Sequence, residues 1–263
     1  MDKCETEKEF AWNVNAVGTR NVAEACAKIG AKLVYISTDY VFDGEKGLYS
    51  EEDETKPVNY YGLTKLRGED YVRELCTDYV IARTSVIYGW HPRRLNFVTW
   101  VIDSVVKQKT ISVVLDHYNS PTLADSLAEM VLHALDKGVG GVYHLTGGER
   151  ISRYEFAIRV ARTFHLDETL IMPVKMSDLN TWIAKRPRDS SLRIDKAEKE
   201  IDVSPMSLNV ALERMKSSKD NAHTTLWIRG ILEKDYEMGA STKILRKTAP
   251  RSSKSPSGLR AGA

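Results

Sequence analysis

Cysteine is scarce in this chain. Cys4, Cys26 and Cys76 are the only three in 263 residues, an odd number at no metal-ligand spacing. That excludes a disulfide framework and leaves free thiols. No apolar run reaches the ~20 residues that a membrane span needs. The N-terminus, Met-Asp-Lys-Cys-Glu, carries none of the marks of a signal peptide. The expectation is a cytoplasmic chain without membrane contact. His-x-x-x-His occurs nowhere. His117, His133, His144 and His165 show no spacing that builds a metal site, so they read as ordinary surface or core residues and no metal is expected. A net charge of +2 gives no reason to expect nucleic acid as a partner. Much of that excess sits in residues 238–263, where Lys243, Arg246, Lys247, Arg251, Lys254 and Arg260 stand without an acid among Ser, Gly, Pro and Ala. From residue 217 onward the composition reads as a disordered basic tail, either solvated or the product of a shifted reading frame.

What is present is enough apolar material, 42% of residues, to bury a core in one large or two small domains. The stretch from Ser37 to Glu69 is the most informative. Lys32 to Ser37 is a short apolar run with β-branched members, as in a buried parallel strand. Thr38 then lies at the C-terminal edge, where open α/β sheets bind ligands. Tyr60 to Cys76 has helical spacing and places Tyr61 and Lys65, four residues apart, on one face. An ammonium beside a phenol stabilises the phenolate and lowers a pKa that is otherwise about 10. Tyr61 would then exchange a proton with a substrate oxygen. Tyr-x-x-x-Lys occurs once in the chain, and it follows a strand that ends in Ser37-Thr38-Asp39.

The rest of the chain alternates in the same way. One long amphipathic helix is expected over residues 5–29, stopped by Gly30. Tyr79 to Thr84 reads as a strand, Arg94 to Lys107 as a helix, and Thr110 to Leu115 as a strand. Asn119-Ser120-Pro121-Thr122 reads as a turn and cap into a helix over Leu123 to Leu135, with a strand at Val142 to Leu145. Ser152 caps a helix over Arg153 to Phe164, and Met176 to Ala184 and Ser204 to Met215 are further candidate helices. Lys185-Arg186-Pro187-Arg188 is either a solvated basic loop or a cationic loop suited to a diphosphate. The division expected is 1–150 for the sheet domain, 151–216 for a smaller part mixed with segments near 86–108, and 217–263 for the tail.

The segments STDYVFDG and Tyr-Gly-x-Thr-Lys-Leu-x-Gly-Glu, the latter at Tyr61 to Glu69, resemble the extended short-chain dehydrogenase/reductases. The resemblance is greatest to the dTDP-4-dehydrorhamnose reductase family and extends over roughly residues 1–216. It implies an α/β fold: an NAD(P)-binding, Rossmann-like, doubly wound parallel sheet, N-terminally truncated, with a smaller C-terminal substrate-binding part. It implies NADPH or NADH as cofactor and reduction of a nucleotide-activated 4-keto sugar. By the same resemblance Tyr61 is the proton donor. Lys65 holds the nicotinamide ribose, Thr38 bonds the substrate oxygen, and Tyr61, Lys65 and Ile36 touch cofactor. Thr38, Asp39, Val86 and Arg186 are implied at the substrate. Val86 stands where the reductases usually carry Trp, which removes a stacking face and predicts altered sugar selectivity. Asn15 resembles an amide near the active site but reads equally well as a helix-surface residue. The regulatory beta subunit of methionine adenosyltransferase has a similar pair of segments, so a non-catalytic binding protein is the alternative. A homo-oligomer is also compatible with the family.

A nicotinamide enzyme cradles the pyrophosphate with a strand, a glycine-rich turn and a helix N-terminus. The closest glycine spacing here, Gly44 with Gly47, has Ser at position 50 and no such frame. By resemblance, the opening βαβ units and roughly a quarter of the usual chain are absent before Met1. The sequence therefore predicts an uncovered sheet edge, a tendency to self-associate, and a cofactor Kd no better than about millimolar.

Overall fold

The structure is a computed structural model that describes residues 1–179 and 181–218. All of the expected basic tail except Ser217 and Ser218 lies outside the described residues. The first segment is helical but interrupted: α1 spans Asp2–Thr6, α2 Lys8–Trp12 and α3 Gly18–Ile29. Glu7 leaves helical geometry at φ −119°, and Asn13–Val17 forms a π-helical turn. The π turn adds one residue within an otherwise helical period, so a periodicity count reads straight through it. Gly30 closes α3 with φ 66°, the left-handed conformation that glycine adopts without strain.

Strand β1 (Leu33–Thr38) follows, then a 3-10 turn at Asp39–Val41 and helix α4 (Tyr60–Leu75). The Asn59 side chain caps α4 by accepting from Gly62 N at 2.8 Å. Beyond α4 come β2 (Tyr79–Thr84), β3 (Ile87–Tyr88), α5 (Phe97–Val106), β4 (Ile111–Val114), β5 (Tyr118–Asn119), β6 (Thr122–Leu123), α6 (Ala124–Asp136) and β7 (Gly141–His144). Strands β1, β2 and β7 form a three-stranded parallel sheet in that order, with Ser37 opposite Arg83 and Arg83 opposite His144. Tyr35, Val72 and Ile81 fill the space between this sheet and α4. Val80, Ala82, Leu127, Met130 and Leu145 pack the other face, joined by Ala197 and Ile201 of a later helix. Helices thus cover both faces of a parallel sheet, the doubly wound, Rossmann-like α/β arrangement.

The chain ends with β8 (Ile151–Ser152), α7 (Arg153–Phe164), β9 (Ile171–Val174), α8 (Asp195–Ile201) and α9 (Leu208–Ser217). A second core joins Tyr88, Val98, Val101 and Val113 to Phe156, Val160 and Leu212, so it draws on the middle of the chain as well as its end. Two expected elements differ. In place of the helix expected over Met176 to Ala184, Met176–Asp178 form a 3-10 turn and residues 181–184 are not helical; the Ile183 and Ala184 amides donate to the Asp2 carboxylate, at 3.1 and 2.9 Å. Thr122 lies in β6 instead of capping α6; its hydroxyl sits 2.8 Å from the Ser85 carbonyl, and the α6 cap has no side-chain hydrogen bond. Among the described residues no helix is long and apolar enough to cross a membrane.

Helix α4 lies unusually close to its neighbours. A Cβ on Gly62 would stand 2.1 Å from the Tyr40 carbonyl, and one on Gly68 would stand 2.2 Å from the Tyr35 hydroxyl and 2.9 Å from the Asn15 carbonyl. Glycine inside a helix costs roughly 0.5–1 kcal/mol relative to alanine, and here the close approach requires it. Gly68→Ala is expected to lower stability by ~1–3 kcal/mol despite its better helix propensity. Urea unfolding measures this; an unchanged or higher midpoint would mean that α4 does not sit this close to β1.

Candidate active site

Thr38 ends β1 and opens the 3-10 turn. Its Oγ1 accepts from Tyr40 N at 3.2 Å and donates to Asp39 Oδ1 at 3.0 Å. The Tyr61 phenol, in the first turn of α4, lies near the Thr38 hydroxyl, which acts to lower its pKa. The Tyr40 ring meets the Tyr61 ring edge-on, with centroids 6.1 Å apart. One turn along α4, Lys65 Nζ lies 4.0 Å from the centre of the Tyr35 ring and donates to the Ile36 carbonyl at 2.8 Å. The structure thus brings Thr38, Tyr61 and Lys65 to one end of the sheet, with Ile36 beside them on the β1 edge. Asn15 is part of this frame: its Nδ2 donates to Thr64 Oγ1 at 3.0 Å, and Thr64 Oγ1 donates to the Tyr61 carbonyl at 2.9 Å.

The electrostatics correct one expectation. Burial pushes the Tyr61 phenol up to about 12; the Thr38 hydroxyl pulls it down and the Asp39 charge raises it further. Burial draws Lys65 down to about 8, with Glu69 opposing. The ammonium is committed to the Tyr35 ring and the Ile36 carbonyl, so desolvation dominates at Tyr61 and the resting group is a neutral phenol. A neutral phenol in reach of a hydroxyl is equipped to donate a proton.

Glu69, one turn beyond Lys65 on the same face, fixes α4 to the sheet. It is fully buried and accepts from Ser37 Oγ at 2.5 Å, Arg83 Nε at 3.0 Å, Arg83 Nη2 at 2.8 Å and Arg73 Nη2 at 2.7 Å. Burial raises its pKa, but the Arg83 hydrogen bonds and charge, with Ser37 and Arg73, outweigh that and hold it below the ordinary value.

Two implied substrate residues face elsewhere. Asp39 is buried, and its Oδ2 accepts from Ser190 Oγ at 2.6 Å, Ser85 Oγ at 2.8 Å and Asn119 Nδ2 at 3.3 Å. With Thr38 on Oδ1, both oxygens are occupied within the protein, so Asp39 is an internal knot joining four segments. Val86 packs against the second core. Its φ of 43° is rare for a β-branched residue, and its carbonyl accepts from Thr122 N at 3.2 Å.

Beside Tyr40 opens a cleft of about 360 Å³ lined by Phe97, Trp100, His117, Arg153, Trp182 and Arg186 among others, but not by Val86. Arg186 is buried there, 5.2 Å from the centre of the Trp182 ring, and its Nη2 donates to the Asp2 carboxylate oxygens at 3.0 and 2.8 Å. Arg153 lies 5.0 Å from the centre of the Phe97 ring and donates to Asn119 Oδ1 at 2.7 Å. Tyr40, His117, Arg153 and Trp182 escaped the sequence reading. Nothing in their spacing marks them, since they come from four separate segments, and His117 is a buried cleft residue where an ordinary histidine was expected. Among the described residues no group of His, Cys, Asp and Glu could hold a metal.

Comparison with known proteins agrees with this geometry. The family model described as RmlD substrate binding domain matches residues 1–220. The dTDP-4-dehydrorhamnose reductase of Escherichia coli K12 is 31% identical over 228 residues, covering 82% of this chain and 75% of that protein. Methionine adenosyltransferase 2 subunit beta of Rattus norvegicus is 33% identical over 204 residues, covering 75% of this chain and 60% of that protein. Among solved structures, the dTDP-4-dehydrorhamnose reductase of Bacillus anthracis in complex with NADP superposes with a TM-score of 0.78 at 35% identity, covering 82% of this chain and 76% of that one. With the matched segment spanning most of the sequence and the fold shared, the chain belongs to the dTDP-4-dehydrorhamnose reductase family.

Proposed function

We propose that this protein is an NAD(P)H-dependent reductase of a nucleotide-activated 4-keto sugar. The observation that carries the reading is the neutral Tyr61 phenol near the Thr38 hydroxyl, one helical turn from Lys65, beside a cleft bearing two guanidinium groups. Tyr61 and Lys65 at the β1 edge fit the nicotinamide-ribose end of such a cofactor. Among the described residues no strand runs through a glycine-rich turn into a helix, so they supply no cradle for its pyrophosphate. When bound, the cofactor supplies hydride to the substrate carbonyl carbon. Thr38 orients the carbonyl oxygen, and Tyr61 gives that oxygen its proton, so that the ketone leaves as an alcohol. The tyrosinate regains its proton from solvent, and the Lys65 ammonium holds the nicotinamide ribose. The sugar lies at Thr38 and Tyr61, and the rest of the nucleotide extends past Tyr40 into the cleft, where arginine and aromatic rings suit diphosphate and base. Val86 supplies no stacking face to that cleft, which favours tolerance among nucleotide sugars.

A second reading, a non-catalytic binding or regulatory protein, is favoured by the 33% identity to methionine adenosyltransferase 2 subunit beta. Following NADPH and NADH oxidation with a panel of nucleotide 4-keto sugars separates the two. Under the first reading Tyr61→Phe lowers turnover by about 10²-fold or more while the melting temperature stays close to the parent's. Turnover that Tyr61→Phe leaves intact would remove Tyr61 from the chemistry, and no turnover in the parent would favour the second reading.

The Lys65 value gives a pH dependence. The ammonium is present below about 8 and is lost as pH rises through that value, so kcat/KM is expected to fall above about pH 8. Lys65→Arg keeps its charge at every accessible pH. Its profile, at whatever residual rate, is expected to lack this alkaline limb, and an unmoved limb in that variant would assign the ionisation to another group.

A further inference from the structure

His117 sits between β4 and β5 and is only 3% exposed. Its carbonyl accepts from Arg153 N at 2.9 Å, which fixes it to the start of α7. Its ring meets the Trp182 ring edge-on at 5.9 Å on one side of the cleft. Among the described residues, its buried Nε2 has no hydrogen-bond partner. Leaving such a nitrogen unpaired costs roughly 1–3 kcal/mol, a cost that a ligand group in the cleft would recover.

The charges around this ring are unbalanced. Arg153 faces it from α7 and Arg186 from the loop after Trp182. Arg186 is countered by Asp2, whereas Arg153 is bonded to the neutral amide of Asn119. Asp39, whose charge acts on Arg153, is enclosed by its own donors. Asp116, next in sequence, accepts from Met176 N instead. The Tyr40 phenol lines the same wall, and burial raises its pKa, so it stays neutral. Burial first, then the Arg153 and Arg186 charges, holds the imidazole well below its ordinary value. A dianion placed between the two guanidinium groups reverses that field.

We infer that His117, Arg153 and Arg186 together form the subsite for the diphosphate of the nucleotide sugar, and that His117 takes up a proton from solvent as the diphosphate binds. The imidazolium then donates from Nε2 to a phosphate oxygen, a charge-assisted bond that the neutral ring in the free protein lacks. This rests on the nucleotide-sugar reading above and adds a titrating group to it. The His117 pKa is higher in the complex than in the free protein. The added affinity is therefore present below the pKa of the complex and lost as pH rises through it, by up to about tenfold per pH unit between the two values.

The test is isothermal titration calorimetry of the full chain with dTDP-glucose between pH 5.5 and 8.5, in pairs of buffers with different ionisation enthalpies. Its diphosphate is esterified at both ends and lacks the second ionisation near pH 6 of a phosphate monoester, so proton uptake reports the protein. Uptake is expected near pH 6 and none at pH 8.5, with affinity falling across that range. His117→Gln keeps a donor near Nε2 but cannot titrate; it is expected to bind with flat pH dependence and no uptake. Binding by the parent without uptake, or uptake that persists in His117→Gln, would overturn the inference and leave the nucleotide-sugar reading standing. Uptake with NADH and not with dTDP-glucose would assign the subsite to the cofactor and overturn it too. Absence of any nucleotide-sugar binding would remove the underlying reading as well.

Discussion

The buried ion pair between Glu69 and Arg83 is the constraint on which the site depends. Two charges away from water are costly, and their mutual attraction offsets that cost only with good geometry and the remaining lone pairs filled. Here the carboxylate has four side-chain donors, two from Arg83 and one each from Ser37 and Arg73. Those donors lie on β1, on β2 and on α4 itself. An apolar contact would tolerate a helix sliding by a fraction of a turn, whereas a carboxylate read by a guanidinium fork would not. Glu69 shares a face with Lys65 and Tyr61, so the pair sets the height and rotation of those two groups above Thr38.

A second set of polar contacts shapes the cleft in the same manner. Asp39 gathers Ser85, Asn119 and Ser190 and so holds the end of β2, strand β5 and the loop before α8 around one carboxylate. Asp2 draws the 183–186 loop inward through two amides and the Arg186 guanidinium. Asn59 both caps α4 and donates to the Lys185 carbonyl at 2.9 Å, which joins α4 to that loop. The β1 edge that bears Thr38 and the cleft beside Tyr40 are thus mechanically continuous, although they are built on different cores.

The parts legible in the sequence were those encoded locally. Thr38 at a strand end and Tyr61 and Lys65 one turn apart on a helix follow from periodicities of two and 3.6 residues. The three sheet strands were found to within one residue of their observed ends for the same reason. What failed required distant segments. Ser190 and Asn119 close on Asp39 from distant positions, and no spacing relates them. His117, Arg153 and Trp182 converge only through tertiary folding. The π-helical turn at Asn13–Val17 was hidden because one extra residue scarcely disturbs a helical pattern. Residues 176–184 have helical composition, but their later amides bond to an aspartate more than 180 positions away in sequence.

Strand β1 has two sides with different relations to solvent. Leu33 N bonds to the Asp78 carbonyl, so the amides of Leu33, Tyr35 and Ser37 point toward β2 and those of Val34 and Ile36 point away from it. Among the described residues no strand pairs on that outer side. The Ile36 carbonyl there is held by Lys65, while the Ile36 amide beside it has no strand to bond to. Deuterium therefore enters this strand at alternate positions, rapidly at the outward amides and at the pace of sheet opening at the inward ones. A single strand thereby carries both a fast and a slow clock, and any molecule that lies along its outer side while touching Lys65 is recorded in the fast one.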